Sequence, residues 1–381
     1  MPSATQYVKR RQRGLAVLIA GLILIIGTII YVGINVVDNE SDYHGSGNGV
    51  VEYVEIPEGT TISELGPELE ERGIVASAEV FQAAAFQNDA ASSAVPGIYR
   101  LQQRMGAEEA VAALVDVSNQ VSLLDVAGGD TLADVTVVAG STRPGIYSRI
   151  SELTCEDEGN CISVSDLEHV AATANLDDLG VPEWARDTVN SRGEDSNRLE
   201  GLIMPGQYVV NPNATAEEII QDLIQRSAKA FEENDIEHRA SSLGLTPYEL
   251  LTAASLVERE STSEDFTRVA RVILNRLDEG MRLEFDSTVN YGLDEQELAT
   301  TDEDRANETD WNTYVRQGLP ATPISAVSIQ AIEAMESPAE GDWLYFVTVD
   351  AAGNTIFSNT YEEHLAAVDE AIRSGVLDSN R

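Results

Sequence analysis

Apolar positions change their spacing several times along these 381 residues, and each change marks an element. Residues 15–37 carry no charged side chain and one strongly polar residue, Asn35, a run long enough for a single membrane-spanning helix. Residues 51–56 alternate with the period of a strand, and Pro57-Glu58-Gly59 turns the chain. Thr61 with Glu64 forms a capping box that opens a helix, which Gly73 can close. A second helix over residues 77–88 precedes a returning strand at 97–101. The pattern then weakens: residues 135–142 faintly repeat a strand and turn, 164–175 have helical character, and 192–196 read as loop. Strong signals return at 199. Thr215 with Glu218 opens an amphipathic helix whose Ile219, Ile220, Leu223, Ile224 and Phe231 make a core stripe. Residues 343–349 and 355–357 read as a hairpin, and Thr360 with Glu363 caps a last helix that runs toward Gly375. Helices and strands are segregated and do not alternate, which predicts the α+β class with helices beside antiparallel sheet.

The helix announced by Thr246-Pro247-Tyr248-Glu249 carries the candidate chemistry, because a capping box with proline at the first helical position fixes its register. At about 100° per residue, Leu250, Leu251, Ala253, Ala254 and Val257 form one stripe. Glu258 follows Leu251 by seven residues and Ala254 by four, and so borders the apolar face. A carboxyl held there is disfavoured as an anion, and its pKa should rise toward neutrality, the property of a glycosidic general acid. An ordinary solvated glutamate at a helix end is the alternative. Arg259 points the other way, and Glu260, two residues on, reads as a helix-end ion pair.

Further blocks follow in order: Val272 to Leu277, Gly280-Met281-Arg282-Leu283, Asp286-Ser287-Thr288-Val289-Asn290-Tyr291-Gly292, Trp311-Asn312-Thr313-Tyr314, Gly318-Leu319-Pro320-Ala321-Thr322-Pro323-Ile324, and Phe357-Ser358-Asn359-Thr360-Tyr361-Glu362-Glu363-His364. Together with Leu199-Glu200-Gly201-Leu202-Ile203-Met204-Pro205-Gly206-Gln207-Tyr208 and Ala253-Ala254-Ser255-Leu256-Val257-Glu258-Arg259-Glu260-Ser261, they resemble the endolytic murein transglycosylases, the YceG-like family. The likeness is dense over 199–370 and thinner over 50–150. It departs at Pro320-Ala321, where the family has Pro-Pro, and at Gly206-Gln207-Tyr208, where it has Asp-Thr-Tyr. The resemblance implies that Glu258, the first glutamate of its motif, is the catalytic acid of a lytic transglycosylase. Such an enzyme cleaves the MurNAc-GlcNAc β-1,4 bond of peptidoglycan strands and leaves 1,6-anhydro-MurNAc ends, terminating or trimming nascent strands. One carboxyl serves as acid and then as base on the muramic 6-hydroxyl, with the substrate's N-acetyl group assisting. No cofactor and no metal are implied. Asn312, Tyr314, Asp286, Ser287 and His364 are the candidate substrate contacts, each with a structural hydrogen-bonding or packing role as its rival. Asn275 reads as structural. The competing functions are a catalytically silent glycan-binding scaffold of the cell-wall synthesis machinery, and a muramidase that uses water and a second carboxylate such as Asp286.

Charge and cysteine content refine this reading. Lys9, Arg10, Arg11 and Arg13 precede the apolar run and acidic residues follow it, which predicts an uncleaved anchor with a cytoplasmic N-terminus and the remainder outside the cell membrane. Four of the 24 Lys and Arg residues and none of the 65 Asp and Glu residues lie in 1–37, so the rest holds 20 basic and 65 acidic side chains. That surface repels nucleic acid, and it suits solubility in a salty medium. The partners expected are glycan strands, the membrane through one helix, and cell-wall synthases. Cys155 and Cys161 enclose a short polar segment and read as a local disulfide in an oxidising compartment, with free thiols as the alternative. The implied layout is a cytoplasmic segment 1–14, anchor 15–37, tether 38–50, LysM-like module 51–118, connecting region 119–198 and catalytic domain 199–381. The LysM-like module either contacts glycan or acts as a spacer.

Overall fold

The computed structural model describes residues 42–57, 59–121, 123–137, 140–156, 161–211, 214–293, 295–296 and 300–376. The expected membrane anchor and most of the tether lie outside these residues, and no helix among those described is long and apolar enough to cross a membrane. The chain divides into two compact bodies, with the division after residue 122.

The first body is built on strands β1 (Val51–Ile56) and β2 (Gly97–Gln102), paired antiparallel with Val54 opposite Tyr99. Alternation turns Val54 and Ile56, with Tyr99 and Leu101, onto one buried face. Helices α1 (Gly66–Glu71) and α2 (Ala78–Gln87) connect the strands, and α3 (Ala107–Val115) follows. Leu69, Phe81 and Leu114 close the core over that face. The expected strand, helix, helix, strand order is therefore present. The Thr61 capping box forms, with the Thr61 N–H donating to Glu64 at 2.8 Å. It opens a 3-10 turn, Ile62–Leu65, and the regular α-helix begins at Gly66, beside Pro67. Proline lacks the N–H that would continue the turn but fits a helical first turn.

The second body holds the remaining elements. Strand β3 (Leu123–Val126) pairs antiparallel with β6 (Gly206–Val209), and the short β4 (Val135–Thr136) pairs with β5 (Thr142–Arg143). Helices α4 (Ile146–Glu156), α5 (Val164–Thr173) and α6 (Glu183–Ser191) lie between β5 and β6. Then come α7 (Ala216–Glu233), α8 (Ile236–Ser242), α9 (Pro247–Glu260), α10 (Phe266–Asp278), α11 (Asp286–Tyr291), α12 (Asp302–Ala306) and α13 (Ile329–Glu336). The hairpin of β7 (Tyr345–Thr348) and β8 (Thr355–Ser358) precedes α14 (Tyr361–Ser374). Helices beside two-stranded antiparallel ladders agree with an α+β class.

The boundary expected at 199 is not where packing divides the chain. One continuous core runs from Leu124 through Ile150, Leu167, Val189 and Leu202 to Met335. The β3–β6 ladder stitches the supposed connecting region to the following domain, and Arg198 donates to the carbonyls of Ala171 and Ala174 at 2.6 Å each. Residues 123–198 are thus part of the second body, and Cys155 and Cys161 form a disulfide at the end of α4.

Helix α9 lies at the centre of this core. Its capping box forms as the sequence predicts, with Glu249 accepting from the Thr246 N–H at 2.8 Å and Thr246 Oγ1 accepting from the Glu249 N–H at 3.2 Å. Tyr248 and every residue from Leu250 to Val257 are buried. The helix therefore has no solvent face along most of its length, and this governs the direction of the carboxylates in its last turn.

Candidate active site

Because α9 is enclosed all round, both sides of its last turn meet protein. Glu258 and Glu260 lie about 200° apart around the axis. Glu258 turns toward the loop after β3 and the start of α13. Its Oε1 accepts the Ser328 N–H at 2.9 Å, at the exposed-donor end of α13 where a negative charge is favoured. Its Oε2 rests against Gly128, where an added Cβ would stand 2.4 Å away, so only glycine allows this approach. The neighbouring Arg259 donates to the Gly129 carbonyl at 3.1 Å. Glu258 thus joins two backbone segments. Its carboxylate is taken up by these contacts with the fold.

Glu260 turns the opposite way, toward the N-terminus of α11. The helix-end ion pair expected for it is not formed with Arg259, which is directed to Gly129. The Glu260 carboxyl is surrounded by protein while the side chain remains partly open to solvent. Burial raises its pKa to about 7, with the Asp286 carboxylate adding to the rise and Ser287 and Arg259 opposing it. The Ser287 hydroxyl faces this carboxyl, yet it is buried without a hydrogen bond of good geometry.

The sequence brings Asp286 here through a sewn pair of blocks. Phe285 and Leu283 anchor the segment in the core, and the Phe285 N–H donates to Thr313 Oγ1 at 3.1 Å. Thr288 and Thr313 hydroxyls meet at 2.8 Å, holding the start of α11 against the 311–314 segment. Asp286 accepts two hydrogen bonds from Arg305, at 3.2 and 3.0 Å, and one from the Tyr314 hydroxyl at 2.7 Å. Burial works against the Asp286 anion, but Arg305, Tyr314 and Thr300 outweigh it and hold the carboxyl below its usual range. Burial and the Asp286 charge together push the Tyr314 hydroxyl up, so it stays a donor. Arg305 also covers the Tyr314 ring at 5.1 Å. The arrangement pairs one carboxyl that holds its proton near neutrality with one that stays ionised, the separation of roles that acid catalysis at a glycosidic bond requires.

The other expected contacts lie elsewhere or have other work. Asn312 is 1% exposed. Its Nδ2 donates to the carbonyls of Asp304, Arg305 and Asn307 at 3.3, 3.1 and 2.7 Å, and its Oδ1 accepts the Tyr314 N–H at 2.9 Å. With its hydrogen-bonding capacity used by backbone, Asn312 is corrected from a substrate contact to a positioning residue that shapes the Arg305 and Tyr314 segments. His364 stacks on Tyr345 at 5.3 Å, beside Tyr361, in a cluster with Arg276. Burial and then the Arg276 charge hold its pKa below the usual histidine value. Asn275 is structural as expected, its Nδ2 donating to the Trp343 carbonyl at 2.9 Å.

Two residues of the second body escaped the sequence reading. Arg305 sits in α12, opened by the Thr301–Asp304 capping box, a signal for a helix but not for its partner. Glu200 lies inside the quoted 199–208 block. It is 1% exposed, accepts from the Leu132 N–H at 3.3 Å and from the Tyr291 hydroxyl at 3.1 Å, and burial lifts its pKa to about 7 against the pull of those donors. Its neighbour Gly201 has φ +79°, and an added Cβ there would meet Pro323 at 2.5 Å, so the 199–208 block and the 318–324 loop are in close contact.

The sequence profile of the YceG-like family matches residues 54–370. The chain belongs to the YceG-like family. An endolytic murein transglycosylase of Streptococcus pneumoniae is 28% identical over 331 residues, covering 84% of this chain and 58% of its own length, so this chain spans under two thirds of that relative. An endolytic murein transglycosylase of Bacillus subtilis is 26% identical over 323 residues, covering 84% of this chain and 85% of its own. A crystal structure of a YceG-like protein from Listeria monocytogenes superposes with a TM-score of 0.52 and 25% identity, over 83% of this chain and 98% of the other. The matched range reaches into both compact bodies and includes every block assembled around Glu260.

Proposed function

We propose that this chain is an endolytic lytic transglycosylase of peptidoglycan, with Glu260 in the role that the sequence reading gave to Glu258. The observation that carries this reading is the pair formed by Glu260, titrating at about 7, and Asp286, kept ionised by Arg305 and Tyr314. Protonated Glu260 gives its proton to the glycosidic oxygen as the bond to the muramic anomeric carbon breaks. The resulting Glu260 carboxylate then takes the proton of the muramic 6-hydroxyl, whose oxygen closes the 1,6-anhydro ring. One proton leaves Glu260 and one returns, so no water is consumed. The fixed negative charge of Asp286 favours the cationic character that develops at the anomeric carbon.

The curated relatives named as endolytic murein transglycosylases support the substrate class. A muramidase that uses water is the second reading, favoured by the presence of a second carboxylate beside the acid. Against it, both Asp286 oxygens are already engaged by Arg305 and Tyr314, which suits a fixed charge better than a base. Mass spectra of fragments released from purified peptidoglycan separate the readings. Anhydro ends are the expected result; reducing ends would establish the hydrolase, and no release would leave only a binding scaffold.

The same proposal places the anchor at residues 15–37 in the cell membrane, with the LysM-like module at 51–118 and the second body outside, on the glycan. Protease added to intact spheroplasts should digest the chain beyond residue 38. A fully protected chain would contradict that topology.

A further inference from the structure

Helix α14 is closed at both ends, by the Thr360 hydroxyl accepting the Glu363 N–H and by Gly375 at φ 78°. It rests on the β7–β8 ladder through Ala367 and Ala371, which share a small core with Val347, Val349 and Ile356, apart from the continuous core of the second body. The helix side of this contact is thus made by alanines. The large apolar residues of the same helix face outward: Tyr361 is 58% exposed, Leu365 47% and Ile372 51%. With the partly buried Val368 they stand at spacings of four, three and four residues, which at about 100° per residue keeps all four within about 60° of one another. They form one seam about 16 Å long. Its first residue is steadied by the Tyr345 ring, 5.8 Å from that of Tyr361. A helix ordinarily buries its largest apolar side chains, and here small ones are buried while large ones are open to water. Of the eight large apolar side chains exposed among the described residues, three lie in this seam, so the exposure is not scattered.

The charges beside the seam decide what can cover it. Glu362 and Asp369, two turns apart, form an exposed row along its flank, and among the described residues neither carboxylate has a hydrogen bond or an ion pair. Arg373, the one Lys or Arg of α14, turns back to donate to the Asp369 carbonyl at 3.0 Å. A second copy would bring the same acidic row and a net charge of −41 against it, and an anionic lipid surface would be repelled likewise. A helix with an apolar stripe of matching pitch and the opposite charge fits. We propose that the outer face of α14 is a docking seam for a basic amphipathic helix of a partner protein, with apolar residues at i, i+4, i+7 and i+11 laid along Tyr361, Leu365, Val368 and Ile372, and Lys or Arg set against Glu362 and Asp369. The inference does not depend on the peptidoglycan reading.

The test uses the purified full chain and three synthetic helical peptides of equal length. The first carries a leucine seam flanked by lysines, the second has the same composition in scrambled order, and the third has glutamate in place of each lysine. Binding is read by fluorescence anisotropy. The first peptide should bind at least about tenfold more tightly than the other two. Leu365→Ala with Ile372→Ala should remove that preference and leave the melting temperature unchanged, since both side chains are about half exposed and alanine favours the helix. Glu362→Lys with Asp369→Lys should reverse the charge preference, so that the glutamate peptide binds more tightly than the lysine peptide. Equal binding of the first two peptides, no binding of any, a preference that survives the alanine pair, or a charge swap without effect would overturn the seam. Sedimentation should be the same for the full chain and the alanine pair. A dimer that the alanine pair dissolves would give the seam to a second copy and overturn the basic partner.

Discussion

Glu260→Gln should lower peptidoglycan turnover by about 10² to 10⁴-fold with the fold intact, whereas Glu258→Gln should turn over substrate at close to the wild-type rate and lose stability instead. The contrast follows from what each carboxylate touches. Glutamine at 260 keeps the volume and the neutral character that burial already favours there, but it has no proton to transfer. Glutamine at 258 keeps one oxygen for the Ser328 N–H and forfeits the negative charge at the start of α13, a loss of about 1 kcal/mol. Turnover on purified peptidoglycan and thermal melting, measured on both variants, decide the matter. A dead Glu258→Gln chain with normal melting, or an active Glu260→Gln chain, would return the acid to position 258.

The second large effect concerns stability. Glu200 has a pKa raised from 4.5 to about 7 in the folded chain. Below about pH 4.5 it is protonated in both the folded and the unfolded chain and causes no pH dependence. Between there and about 7 the unfolded chain releases the proton that the folded chain retains, so stability falls as pH rises, and above about 7 the loss is complete. At about 1.4 kcal/mol per pKa unit, the full effect is about 3 kcal/mol. Glu200→Gln removes this dependence while keeping an acceptor for Tyr291 and Leu132. Relative to wild type, the variant should therefore gain up to that amount between pH 5 and 8, read as a widening difference in melting temperature. Parallel curves for the two proteins would show that Glu200 does not titrate as described. Glu260 shifts in the same direction, so some slope will remain in the variant.

Local rules were legible wherever the relevant atoms lie within a few residues of one another. The capping boxes at Thr61, Thr215, Thr246 and Thr360 all form, and the 345–358 hairpin and the close of the last helix at Gly375 follow the turn and cap residues. What failed was non-local. β3 pairs with a strand some 80 residues later, which no local pattern announces, and the region between was therefore assigned to a connection. The helix α9 was read as amphipathic when it is buried all round, so an argument from one apolar stripe chose the glutamate nearest that stripe and left Glu260 to a helix-end ion pair. Asp286, Ser287 and Tyr314 were named from their blocks; Asp286 and Ser287 act on the Glu260 carboxyl, and the Tyr314 hydroxyl is bonded to Asp286. Their partner Arg305, and the burial of Glu200, depend on tertiary contacts alone.

The claim that Glu260 is the proton donor is tested most directly by the pH dependence of kcat/KM on soluble glycan strands, which reports the essential acid of the free enzyme. The profile should fall as pH rises past about 7, the value to which burial and Asp286 lift this carboxyl. Glu200 titrates in the same range, so the limb must persist in the Glu200→Gln chain. A profile that already falls near the ordinary glutamate value of 4.5, or a limb that vanishes with Glu200→Gln, would contradict the assignment.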